Sequence, residues 1–104
     1  MAYGTFPTTV HSSVVVGLAS TLIAAENPKR RSLCLTNNTV ADIWLAVGAA
    51  AVIGAGYLLA KGGGIVEIEV LGEFDKGYRA AIYGIDASGV GGRSIGVAEM
   101  NGGI

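Results

Sequence analysis

The chain has 104 residues, one cysteine, one histidine, 17 glycines, only 14% charged residues and a net charge of −1. That length fits one domain, able to bury roughly 60–70% of its unfolded surface without covalent staples. One cysteine excludes an internal disulfide framework, one histidine excludes a multi-histidine metal site, and the near-neutral balance argues against nucleic-acid binding by bulk electrostatics. With so few charges, much of the surface is apolar or small, and such a surface associates, so partners are expected.

Residues 1–12 read as an extended N-terminal arm. Tyr3, Phe6 and Pro7 stand among small and polar residues with no sustained period, a pattern that gains order by docking on a neighbour. The first six residues lack the positive n-region of a signal peptide. His11 has no acidic residue or cysteine close to it in sequence and reads as a surface side chain.

A strand is predicted over Ser13–Leu18, with Val14, Val16 and Leu18 on one face, because the β-branched run Val14-Val15-Val16 disfavours helix. Leu22-Ile23-Ala24 continues as a second short strand. A helix over Val14–Glu26 is the local rival, since Val14, Leu18 and Leu22 also fit an i, i+4 stripe. Asn27-Pro28 ends the element in either case.

Lys29-Arg30-Arg31 then makes a turn with three cations, read as a solvated turn or as a contact for an acidic surface. In the strand that follows, Leu33 and Leu35 point one way and Ser32, Cys34 and Thr36 the other. Cys34 reads as an inert thiol, because a catalytic one needs a basic partner. Asn37-Asn38 opens a short loop, since Asn tolerates left-handed backbone and bonds its own main chain. The next strand, Asp42–Val47, sets Ile43, Leu45 and Val47 on one face. Trp44 lies on the other, toward a second layer or a neighbouring subunit. The two strands are expected to pair antiparallel at the centre of an all-β domain.

Ile43–Ala60 carries no charge, and its eighteen residues just reach the length of a membrane-spanning helix at about 1.5 Å per residue against a ~30 Å core. Alanine and glycine dilute its hydrophobicity, however, and its flanks alternate as strands do. It also divides into a strand (Asp42–Val47), a Gly/Ala loop (Gly48–Gly56) and another strand (Tyr57–Ala60). This second reading is preferred, with no membrane partner.

Lys61-Gly62-Gly63-Gly64 is a turn. Its glycines offer an anion nest, but no P-loop signature accompanies them. In Ile65–Val70, Val66, Ile68 and Val70 face inward and Glu67 and Glu69 outward, about 7 Å apart. With no other polar group converging, the pair reads as a solvated face rather than an acid–base pair. A loop over Gly72–Gly77 carries Phe74. Strands follow at Tyr78–Gly84 and Ser94–Met100, separated by a Gly/Ser-rich loop, and residues 101–104 form a flexible tail. Seven or eight short strands with turn signals between them predict a single-domain β-sandwich over residues 13–100, with a jelly roll as the candidate topology. No nucleophile–base pair stands at readable spacing, so no enzyme, catalytic residue, cofactor or metal is expected.

The series Asn27-Pro28-Lys29-Arg30-Arg31, Leu33-Cys34-Leu35-Thr36-Asn37-Asn38 and Asp42-Ile43-Trp44-Leu45-Ala46-Val47-Gly48 resembles small virion proteins of tailed bacteriophages. There an N-P-x-R-R turn leads into a hydrophobic strand, an Asn-Asn loop and a D-I-aromatic strand. Leu59–Gly64 and Tyr78–Gly84 fit the same layout. The Gly48–Gly56 loop departs from it. The resemblance spans about residues 14–100 and implies a structural virion protein, foremost a capsid decoration (cement) protein bridging capsid subunits, with a small tail or fibre component as the alternative. It implies the major capsid protein or other virion proteins as partners, a homotrimer matched to local threefold positions, no specific nucleic acid, and a place on the capsid surface after assembly in the host cytoplasm. The interface candidates are Tyr3, Phe6, Lys29, Arg30, Arg31, Trp44 and Phe74. A receptor- or glycan-binding module and a small membrane protein are the competing readings.

Overall fold

The computed structural model describes residues 8–70 and 77–102. It is all-β, as expected, with eight strands among the described residues: β1 (Thr8–Val16), β2 (Thr21–Ala24), β3 (Arg30–Asn37), β4 (Ile43–Val47), β5 (Tyr57–Leu59), β6 (Gly64–Glu69), β7 (Ile82–Asp86) and β8 (Arg93–Asn101). They form two four-stranded antiparallel sheets, in the orders β1-β8-β3-β6 and β2-β7-β4-β5. Among the described strands only the β4–β5 connection stays within one sheet; every other step crosses to the opposite one.

Strand alternation supplies the core. Leu33, Leu35 and Ile95 of the first sheet and Ile43, Leu45 and Ile82 of the second are buried in one cluster between the layers. Gly84 sits in the middle of β7 because a Cβ there would lie 2.4 Å from Ile23 Cδ1. Ile23 packs into the space the missing side chain leaves.

The Ile43–Ala60 run divides as predicted. β4 and β5 pair as a hairpin in the register Ile43↔Leu59, Trp44↔Leu58, Leu45↔Tyr57. Among the described residues no helix is long and apolar enough to cross a membrane. The helix considered over Val14–Glu26 is strand β1, a turn and strand β2.

Several expectations are corrected. The strands bearing Leu33 and Ile43 do not pair. β3 bonds to β6 and β8, and β4 to β5 and β7, so they lie in opposite sheets. The loop between them explains why. Asn37 is fully buried and donates from Nδ2 to the carbonyls of Ala41 (2.8 Å) and Leu59 (2.9 Å), while its Oδ1 accepts from Thr39 N–H (3.0 Å) and hydroxyl (2.7 Å). It pins the chain as it turns from one layer to the other. Asn37 does bond its local main chain as predicted, but the left-handed backbone is not used: among the described residues only glycines have positive φ.

Residues 8–12, assigned to the arm, are paired strand, with Thr8 opposite Asn101 and Ser12 opposite Val97. Asn101, assigned to the tail, closes β8. β1 ends at Val16, leaving Leu18 exposed in the turn. The strand expected over Tyr78–Gly84 lies at Ile82–Asp86 instead. Residues 77–79 form a 3-10 turn, held by Gly77 accepting from Ala80 N–H at 3.1 Å.

Candidate functional site

The three-cation turn is not a uniform charged surface. Lys29 and Arg31 are exposed, but Arg30 is 0% exposed, which removes it from the interface candidates. Its guanidinium donates from Nε to Glu99 (2.6 Å), from Nη1 to the carbonyls of Tyr78 (2.6 Å) and Ala80 (2.8 Å), and from Nη2 to the carbonyl of Ala25 (2.7 Å). One side chain thus ties the β2–β3 crossing to the approach to β7 and to β8. The physical cause is the break in register between Arg30 and Ser32, which places Arg30 on the inner face and Arg31 on the outside. Five donors in a fixed fork suit a corner where several carbonyls converge.

The opposite corner uses its polar groups just as fully. The N–H groups of Gly62, Gly63 and Gly64 donate to the carbonyls of Thr39 (2.9 Å), Asn37 (2.7 Å) and Ala60 (3.0 Å). Those donors are therefore spent within the fold, and the turn is no anion nest. A third turn, after β7, is organised by Asp86, whose carboxylate accepts from the N–H of Ser88 (2.7 Å) and of Gly91 (2.8 Å), with Arg93 Nε 3.5 Å away. Burial alone would raise this carboxyl, but the Ser88 and Gly91 hydrogen bonds and the Arg93 charge outweigh it and hold it below the ordinary carboxylate range.

The outer face of the first sheet is small and polar. Cys34 stands between Ala98 and Glu67, and Ser32 between Met100 and Glu69. Two shallow open depressions of about 200 and 260 Å³ lie along it, the first lined in part by Cys34, Glu67 and Glu69 and the second by Arg31, Ser32, Glu69 and Met100. Burial, and then the negative charge of Glu67, push the Cys34 thiol up, so it stays protonated at neutral pH and is a poor nucleophile. Glu67 and Glu69 are exposed, as expected for a solvated strand face. Among the described residues no group of three or more His, Cys, Asp and Glu is placed to hold a metal ion.

The outer face of the second sheet differs in kind. Register sets two adjacent rows across its four strands: Leu22 beside Tyr83 beside Ala46, and Ile85 beside Trp44 beside Leu58. Leu22 is 48% exposed and Leu58 45%, and the four side chains between them are half-buried. No charged side chain interrupts the rows, because Asp86, the one ionisable carboxylate of these four strands, faces inward. Strands about 4.8 Å apart and rows about 7 Å apart give the patch an area on the order of 300 Å². Contiguous apolar surface of that size on a small protein is often an interaction site.

Of the interface candidates read from the sequence, Trp44 lies at the centre of this face. Lys29 and Arg31 lie on the turn into β3 and on its first residues, Arg30 is internal, and Tyr3, Phe6 and Phe74 lie outside the described residues. Leu22, Tyr83, Ile85 and Leu58 were not singled out. Their signal is present nonetheless: β4 and β7 carry apolar residues on both faces, the pattern of strands covered on both sides. Comparison with family models, curated proteins and solved structures finds no match.

Proposed function

We propose that the chain is a structural subunit of a tailed-bacteriophage particle, acting as a head decoration protein that bridges capsid subunits. The observation that carries this is the charge-free face built on Trp44, Tyr83, Ile85, Leu22 and Leu58, a partly exposed surface with the character of an interface core. Two further features support the reading. The strand order 1-8-3-6 and 2-7-4-5 fits a jelly-roll β-sandwich, an architecture used by viral coat domains. The polar corners built on Arg30, Asn37 and Asp86 serve the fold itself rather than reaction chemistry.

A decoration protein works by burying modest area many times over, and a rigid two-layer body with one apolar face suits that task. The test is quantitative mass spectrometry of purified particles, followed by challenge of particles lacking the protein with heat or low salt. Stoichiometric incorporation and earlier rupture without the protein are expected, and Leu58→Lys should abolish rebinding to the depleted heads. Absence from purified virions would sink the reading. Jelly rolls also serve as lectin domains, and the half-exposed pair Trp44 and Tyr83 is the observation favouring a glycan-binding tail module as the second reading. A glycan array with a specific binder, lost in Trp44→Ala, would favour that instead.

A further inference from the structure

A sheet edge is a row of unpaired backbone donors and acceptors, and folded proteins blunt it by shortness, bulges or charge. Among the described residues the two sheets have four edges: β1, β6, β2 and β5. Three are blunted. β5 has three residues, β2 has four with a register break between Leu22 and Ala24, and β6 turns Glu67 and Glu69 outward. β1 has none of these devices. It runs nine residues in unbroken register with β8 and contains no proline and no charged residue, and it leaves Val10 52% and Val15 60% exposed.

We propose that β1 is a pairing edge and that its occupant is the β1 strand of a second copy of this chain, joined antiparallel about a twofold axis through Ser12. Full overlap of a nine-residue strand with itself centres on its middle residue, which fixes the register. Val10 then faces Val14 of the second copy, Val15 faces Thr9, His11 faces Ser13, and Ser12 faces Ser12. Apolar meets apolar in the Val10 pair, small polar residues meet at the centre, and no like charges oppose each other. Both exposed valines gain cover, and the two first sheets become one eight-stranded sheet. This fit of the strand to itself is what selects a second copy over an unrelated extended peptide. The pairing is independent of any particle, and it is twofold, unlike the threefold assembly implied by the resemblance.

The test uses the full chain. Sedimentation equilibrium up to about 100 µM should give a dimer, and Ser12→Lys, which sets two ammonium groups opposite each other, should weaken dimerisation at least about tenfold with the far-UV spectrum unchanged. In a Cys34→Ser background, Ser12→Cys should oxidise to a disulfide-linked dimer, since directly opposed residues lie about 4.5–5.5 Å apart at Cα. Thr9→Cys in the same background should not, because the two copies of residue 9 lie about 20 Å apart along the ladder. A monomer or trimer over that range, or equal cross-linking from positions 9 and 12, overturns the proposal. A 1:1 complex only with an added extended peptide also overturns it, in favour of strand addition by a different partner.

Discussion

Replacing Arg30 with methionine keeps an unbranched stem in the same space and removes the guanidinium. Four short hydrogen bonds go with it, leaving the Tyr78, Ala80 and Ala25 carbonyls and the Glu99 carboxylate to find other donors. Glu99 keeps 21% of its side chain in water, so its charge is partly rehydrated, while the carbonyls lose the donors that were their partners at this fully enclosed guanidinium. Breaking a buried pair by removing one member costs about 3–5 kcal/mol. Against a total of about 5–15 kcal/mol, that is a large share of the stability. At roughly 4–8 °C per kcal/mol for a domain near this size, the midpoint should fall by about 12–40 °C. The assay is thermal and urea unfolding followed by far-UV circular dichroism, with Arg31→Met as the control. Arg31 is exposed one residue away on the outer face and should melt with the parent. If Arg30→Met lies within about 1 kcal/mol of the parent, or if Arg31→Met costs as much, the internal role assigned to Arg30 is wrong.

Asp86 gives a pH signature. Its folded carboxyl lies below the ordinary value, so its contribution is fully present above about pH 4 and is lost as pH falls through the lowered folded value. Melting curves of the parent and of Asp86→Asn should therefore differ most near neutrality and converge in acid, and a constant gap between pH 7 and pH 2.5 would contradict the assignment. Gly56 has φ +91°, and a Cβ there would lie 2.2 Å from the Leu45 carbonyl oxygen, so Gly56→Ala must push β5 off β4. It should lose more stability in a urea titration than Gly54→Ala, where φ is +86° but the space is open and only the backbone strain of roughly 1–2 kcal/mol applies. Equal midpoints for the two variants would show that the Leu45 contact does not constrain the hairpin.

The parts of the fold legible in the sequence are those set by local alternation. Leu33 and Leu35, Ile43 and Leu45, Ile68, and Ile95 and Val97 all face the core as their period-two spacing requires. Which strand lies beside which was not legible, because pairing here is almost never between neighbours along the chain. The pairing expected between β3 and β4 failed for that reason, and the neighbours that do pair are β4 and β5. Arg30 was misread because its burial depends on a register break and on carbonyls from residues 78–80, about fifty positions away, which no local pattern encodes. At the candidate interface, Trp44 was found as the aromatic on the wrong side of an amphipathic strand. Leu22, Tyr83 and Leu58 join it only once three separate strands are laid beside it. The strand near residue 80 was placed too early because Tyr78, Ala80 and Ile82 alternate acceptably, while the chain spends residues 77–79 on a 3-10 turn that brings the Tyr78 carbonyl to Arg30.

The pairing of β1 with β8 places the first and last of the described strands side by side, and it has a temporal consequence. During synthesis at about 5–20 residues per second, the 85 positions between Thr8 and Arg93 take roughly 4–17 s to emerge. Throughout that interval β1 lacks β8, and β3, which gains β6 part-way through, lacks it too. The Arg30 corner stays open as well, because Glu99 follows Arg30 by 69 positions. Closure of the first sheet is therefore a late event in which one strand slides between two waiting ones, and nascent chains crowded on one message are exposed to cross-pairing until it occurs. A chain cut short before Arg93 would carry most of the core residues and lack both the β1–β8 and the β3–β8 ladders.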